Sequence, residues 1–283
     1  MGEVMAQIEA DFAEAKTLLP ELTNPSDFTD TVMNKVNVIA YQARVALYKK
    51  EYDKAIEYSS AVISAGVKPL APAGLFPSIW TDDTYDETLF RIRYATSTAI
   101  GGMWTTTGDQ SYIAPSDKLT ATYSNSDVRK STFIGATATG KPCVKKFYSS
   151  IRGGRVVDMK ACRISEMYLI RAEANARKSS PDLTAATADL NELRRNRITP
   201  YTNETFTAVG TLIDAIMQER FKELCFEGFR FFDLKRNGLP VNRLASDASD
   251  SWISLPADNF RFVLPIPNAE LLANPNMVQN SGY

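Results

Sequence analysis

The sequence predicts a mainly α-helical protein in which TPR-like helical units, built as in tetratricopeptide repeats, alternate with long ordered loops and a minor β component. Three observations predict it. Apolar residues recur at steps of three and four in several separate stretches, the spacing of one helix face. Alanines crowd the same stretches, where one helix must approach another closely. Between the earlier and later helical stretches lies a long interval rich in Gly, Pro, Ser, Thr, Asp and Asn.

Residues 4–19 place Val4, Ile8, Phe12, Ala15 and Leu19 on one face, closed by Pro20. Asn24-Pro25-Ser26-Asp27 marks a loop. A helix over 34–48 carries Val38, Ala40, Tyr41, Ala43, Val45, Ala46 and Leu47. The next, over 52–65, carries Ala55, Ile56, Ser59, Val62 and Ile63 and is stopped by Gly66, a residue that takes positive φ readily. Tyr52-x-x-Ala55 sits where a tetratricopeptide unit has its Tyr-x-x-Ala. Tyr41, Tyr48, Tyr52 and Tyr58 fall at helix-interface spacing and are assigned to the core.

Residues 87–94 alternate apolar and polar side chains as a strand does, and the rest of 67–160 reads as ordered loop. Loops this long in a compact domain are functional or disordered; the aromatics throughout this one favour function. A second helical pair follows over 163–177 and 182–195, with Ala172, Ala174, Ala176, Ala185, Ala186 and Ala188 as close-packing positions. A long helix over 207–226 shows Leu212, Ile213, Ile216, Met217 and Leu224, with Gly228 read as the turn that ends it. Residues 237–283 read as loop with a short strand at 260–265. The chain is taken as one domain, with helical units at about 34–66, 163–196 and 207–227.

The 283 residues are 44% apolar, enough for a real core, and 32 basic residues offset 33 acidic ones. No broad field therefore points to nucleic acid or an anionic membrane, and a neutral ligand fits this balance better than a charged polymer. Histidine is absent, which excludes Ser-His-Asp and Cys-His catalysis and His-bearing metal sites. Cys143, Cys162 and Cys225 form no C-x-x-C pair and read as small buried apolar residues; a Cys143–Cys162 bridge is left open. No run reaches the ~18 apolar residues of a membrane span. The first twelve residues carry Glu3, Glu9 and Asp11 and no apolar run, so they are not read as a signal peptide.

Three segments carry a resemblance. Arg163-Ile-Ser-Glu166-Met-Tyr168-Leu-Ile-Arg171-Ala-Glu173-Ala is the first. Glu219-Arg220-Phe-Lys-Glu223-Leu-Cys-Phe-Glu227-Gly228-Phe-Arg230-Phe-Phe-Asp233-Leu-Lys235-Arg236 is the second. The third runs from Pro265-Ile-Pro267 through Asn274-Pro275-Asn276 to Gln279-Asn280-Ser-Gly282-Tyr283. Together, in this order, they resemble the later part of SusD/RagB-like surface lipoproteins. The resemblance implies an outer-membrane, cell-surface protein of Bacteroidetes type. Such a protein binds oligosaccharide without catalysis or cofactor and passes it to a SusC-like TonB-dependent transporter. Membrane contact is then expected only through an amino-terminal lipid anchor that this sequence does not contain. A TPR-like protein-interaction scaffold without sugar binding is the alternative.

The charged residues of these motifs alternate in sign at helical spacing, which lets carboxylates and guanidinium groups pair. A glycoside hydrolase centre built from Glu219, Glu223 or Glu227 needs one acid with a raised pKa; the interleaved Arg220, Lys222 and Arg230 argue for ionised acids instead. Sugar capture wants exposed aromatic faces plus hydrogen-bonding side chains. On composition, Trp104 leads as a stacking platform, Tyr112 follows, and Asp109 and Gln110 are their polar partners. Trp80, Tyr85 and Trp252 complete the candidates; Trp104 is also readable as the plug of a small satellite core under the loop, and Trp80, following Phe76 and Ile79, reads first as packed.

Overall fold

The computed structural model describes residues 2–22, 24–96, 99–104 and 111–283. The chain, taken as one domain from its sequence, packs as two compact units, Met1–Glu227 and Gly228–Tyr283. In the first, α1 (Gly2–Leu18) precedes the helical pair α2 (Lys35–Lys49) and α3 (Tyr52–Ser64). Asn34 and Asn37 cap α2 reciprocally: each side-chain oxygen accepts the other's backbone N–H at 3.1 Å. Lys50, left-handed at φ 63°, ends it.

The chain then leaves the frame for a hundred residues. It makes α4 (Phe76–Trp80), β1 (Thr88–Ile92), α5 (Ala99–Trp104), α6 (Asp117–Thr120) and α7 (Val128–Phe133). The short strands β2 (Ile134–Ala136), β3 (Pro142–Val144), β4 (Ser149–Ser150) and β5 (Gly153–Gly154) follow as two hairpins. Finally β6 (Met159–Arg163) pairs antiparallel with β1, matching Thr88 to Arg163 and Ile92 to Met159. This corrects the reading of 67–160 as one strand in a long loop. The short helices span barely a turn or two, too few residues to show a helical period.

From β6 the chain passes directly into α8 (Ile164–Arg177), then α9 (Leu183–Arg195) and α10 (Val209–Glu223). Helix α8 packs against both α3 and α9, so helical pairs a hundred residues apart in sequence are neighbours in space. Small side chains permit it: Ala43, Ala55, Ala172, Ala174, Ala176 and Ala186 are fully buried. Ala172, Ala176 and Ala186 join Leu190, Leu212 and Ile216 in one cluster. Salt bridges tie the same helices. Arg44 grips Glu166 bidentately at 2.7 and 2.6 Å, and Arg171 grips Asp189 at 2.9 and 2.7 Å. Pairing within one helix, expected from the motif spacing, occurs for Glu173 with Arg177 and for Asp233 with Arg236; most other motif charges reach across the fold. Tyr41, Tyr48, Tyr52 and Tyr58 are half-buried rather than core. All three cysteines are buried and unbridged.

A second core lies under the excursion: Phe76, Ile79, Trp80, Leu119, Tyr123, Phe133, Val144, Phe147, Val157 and Cys225. Its rings meet edge to face, as their quadrupoles favour: Trp80 contacts Phe133 at 5.3 Å and Phe147 at 5.8 Å. Against it rests a buried ionic cluster centred on Glu223. Arg197 donates to both Glu223 oxygens at 3.0 and 3.1 Å, Arg163 to Oε1 at 2.8 Å and Arg129 to Oε2 at 3.0 Å. Arg197 also bridges to both oxygens of Glu87 at 2.7 Å, Arg129 to Asp127 and Glu219, and Arg163 and Lys146 to Glu227. The cations lie on the aromatic core, with Arg197 3.9 Å from the Phe76 ring centre and Lys146 3.9 Å from that of Phe133.

In the second unit, α11 (Phe229–Arg236) begins at Gly228, left-handed at φ 86°. Gly228 therefore opens a new helix, where the sequence reading had it close the preceding one. The two-residue strands β7 (Val241–Asn242) and β8 (Ser254–Leu255) pair, and α12 (Asn268–Ala273) follows. The strand expected at 260–265 is a 3-10 turn at Phe260–Phe262, because the Asn259 side chain accepts the Arg261 N–H and folds the backbone over. The motif residues Gln279 and Asn280 do the work of a strand partner. Gln279 bonds the N–H and carbonyl of Ile266 at 2.8 and 2.9 Å, and Asn280 the carbonyl of Leu264 at 2.7 Å.

Burial pushes the carboxyls of Glu219, Glu223 and Glu227 upward, but the surrounding cations outweigh it and hold all three below the usual range. A depressed folded pKa gives stability that is complete above the unfolded value, about 4.3, and is lost as pH falls through the folded one. Urea unfolding between pH 3 and 7 should therefore show stability falling below about pH 4 as these three protonate, with Glu87, whose carboxyl burial raises, opposing part of the loss. Glu223→Gln should cost about 3–5 kcal/mol at pH 7, the cost of breaking buried ion pairs by removing one partner, and should make the acid limb shallower.

Candidate ligand-binding surface

The excursion brings its aromatics to two different depths. Trp80 is 2% exposed and enclosed by Phe76, Phe133 and Phe147. It cannot meet a ligand, which removes it from the candidates. Trp104, at the end of α5, is partly buried: its ring stacks on Phe147 (5.8 Å, 18° between planes) and meets Phe226 edge-on at 5.5 Å. The leading candidate is thus an extension of the aromatic core, with one face already covered. Tyr85 is half-buried and has the Arg91 guanidinium 3.7 Å from its ring centre. Asp109 and Gln110 lie outside the described residues.

Two candidates are largely exposed, Tyr112 in the excursion and Trp252 in the second unit. Tyr112 is 67% exposed, and its backbone N–H donates to the Trp104 carbonyl at 3.0 Å. An exposed ring is thereby tied to a residue anchored in the core. Met103 and Ile113 on either side of this junction are exposed as well, as is Ile151 in the turn of the β4–β5 hairpin. None of these three was singled out from sequence; an isoleucine between Ser150 and Arg152 in a Gly-rich turn was the available signal.

The two segments meet at Gly101. A Cβ there would fall 2.3 Å from the Arg155 carbonyl oxygen, so only glycine lets α5 lie directly on the backbone after β5. The hairpin is itself braced. Ile151 N–H donates to the Thr81 carbonyl at 2.9 Å, and Arg152 reaches Asp82 at 2.5 Å, Asp158 at 2.6 Å and the carbonyl of Tyr94. Arg152 and its two aspartates hold the rim in register, a role invisible in a sequence that separates them by 70 and 6 residues. Chemically the surface can stack on a flat apolar face. Glu219, Glu223 and Glu227 are buried and kept ionised by their cations, so none of them can act as a glycosidic general acid.

The sequence model of the SusD family matches residues 91–283. This chain belongs to the SusD family. The SusD-like protein P2 of Formosa agariphila is 26% identical over an alignment covering all of this chain and 65% of that protein. The starch-binding protein SusD of Bacteroides thetaiotaomicron is 31% identical over 44% of this chain and 22% of its own length. A solved SusD superfamily protein from the same species superimposes with a TM-score of 0.82 at 25% identity, over 98% of this chain and 66% of that one. The chain therefore spans about two thirds of the relatives it matches end to end. Its mainly helical architecture is that of SusD-like proteins. No helix among the described residues is long and apolar enough to cross a membrane.

Gly101→Ala should push α5 off the hairpin at a cost of about 1–3 kcal/mol, the usual range for overpacking. Hydrogen exchange should show faster exchange at the Tyr112 amide with α2 and α8 unchanged. An unaltered Tyr112 amide would mean that α5 does not depend on this contact.

Proposed function

We propose that this chain is a non-catalytic glycan-binding protein of the bacterial outer-membrane surface, which takes up oligosaccharide at the Tyr112 rim and delivers it to a SusC-like TonB-dependent transporter. The observation that carries the reading is Tyr112: a largely exposed ring fixed by its own backbone to a tryptophan stacked in the core. A platform whose backbone is already held loses less freedom on binding, so more of the stacking energy appears as affinity. Family membership supports the reading, as does a relative that is named a starch-binding protein. The transporter partner and the surface location come from the family resemblance, and the sugar and its linkage are for binding experiments to name.

A second reading, a protein-interaction scaffold, rests on a groove of about 290 Å³ among α1, α2 and α3, lined by Glu9, Phe12, Gln42, Val45, Lys54 and Tyr58. It lies on the helical frame, away from the exposed aromatics of the excursion.

Tyr112→Ala should weaken oligosaccharide binding by about 2 kcal/mol, roughly thirtyfold, as truncating a central aromatic anchor does. Titration against a panel of neutral oligosaccharides measures it, and thermal unfolding should be unchanged because the ring is exposed. Sugar binding indifferent to Tyr112, or absent while the transporter is still captured, would favour the scaffold.

A further inference from the structure

The second unit carries an aromatic surface of its own, with a charge at its centre. Trp252 is 58% exposed, Tyr283 46% and Phe260 38%. The guanidinium carbon of Arg261 lies 4.9 Å from the Phe260 ring centre and 5.8 Å from that of Trp252, and Phe260 meets Tyr283 edge-on at 4.9 Å. The strip is held rather than loose. Tyr283 donates its hydroxyl to the Val263 carbonyl at 2.9 Å. Gly282, at φ 96°, folds Tyr283 back over a gap that a Cβ would close to 2.5 Å from the Phe260 ring.

Arg261 is exposed and makes no ion pair among the described residues, although Asp250 and Asp258 are near it in sequence; the same unit's Arg236 is paired with Asp233 at 2.7 Å. Arg243, whose N–H donates to the carbonyl of Ile253 beside Trp252, is likewise exposed and has no carboxylate partner among the described residues. The rings hold the guanidinium through their quadrupoles but leave its forked donors unused. That fork matches two oxygens of one acid group.

We propose that Trp252, Phe260, Arg261 and Tyr283 form a binding site for an anionic saccharide. Trp252 would stack on the C–H face of a sugar ring while Arg261 donates paired hydrogen bonds to its carboxylate or sulfate. The site goes beyond the Tyr112 reading and shares no residue with it. A neutral sugar would leave the guanidinium unmatched, so the charge selects the ligand class that the chain's overall balance does not.

Affinity electrophoresis of the full chain through gels containing polygalacturonate, dextran sulfate or plain dextran tests it. The expected result is retardation by one of the two anionic polymers. Trp252→Ala and Arg261→Gln should each weaken it at least tenfold, Arg261→Lys less, and Tyr112→Ala not at all. Which polymer retards the chain tells carboxylate from sulfate. Arg93→Gln removes the same charge at an exposed position of the first unit; an equal loss there would reduce the effect to net charge and overturn the site. Anionic binding that survives both Trp252→Ala and Arg261→Gln would overturn it too, as would retardation by none of the anionic polymers. Plain dextran retarded through Tyr112 alone would sink this site and leave the rim reading standing.

Discussion

The first unit depends on one constraint: the carboxylate of Glu223 is buried among three guanidinium groups, and each of those is committed to a further acid. An ionised side chain withdrawn from water is tolerated only when paired and hydrogen-bonded. Arg197 comes from the turn after α9, Arg163 from the end of β6, Arg129 from α7 and Glu223 from α10. Satisfying one carboxylate therefore fixes four segments at once. Glu87, at the start of β1, is drawn in through Arg197, and its Oε1 also accepts the backbone N–H of Ala71.

The same cluster explains how a long irregular excursion can present a defined surface. Its cations rest on Phe76, Phe133 and Trp80, and those rings support Phe147 and through it Trp104. Tyr112 is attached to Trp104 by a backbone hydrogen bond. An unbroken chain of contacts thus runs from the ionic cluster to the exposed ring. The aromatics divide by depth into foundation and platform, and the helical frame supplies rigidity to both.

Much of the frame was legible in the sequence. Periodicity placed α2, α3, α8 and α9 within a residue or two, because a buried face on a regular helix must repeat its apolar side chains. The three motifs identified the family for a related reason: their charges serve tertiary contacts that tolerate few alternatives. Within the candidate rim, Tyr112 was legible as an aromatic in a polar Gly-flanked segment. Its rank below Trp104 was inverted because ring size predicts the capacity to stack, whereas exposure depends on what else packs there. Trp80 is packed, as its place after Phe76 and Ile79 suggested. Arg152 was not read at all, since nothing local marks a residue whose partners are distant.

By itself the sequence determined the helix periods, the absence of histidine chemistry and the family. Each of these is a property of a residue or of its near neighbours. Only the tertiary structure decided that α3 packs on α8, that Glu223 gathers three arginines, that β1 finds β6, and which aromatic rings reach the surface. These outcomes depend on contacts between residues tens to more than a hundred positions apart. Burial is a property of the whole packed chain, so no local pattern can fix it.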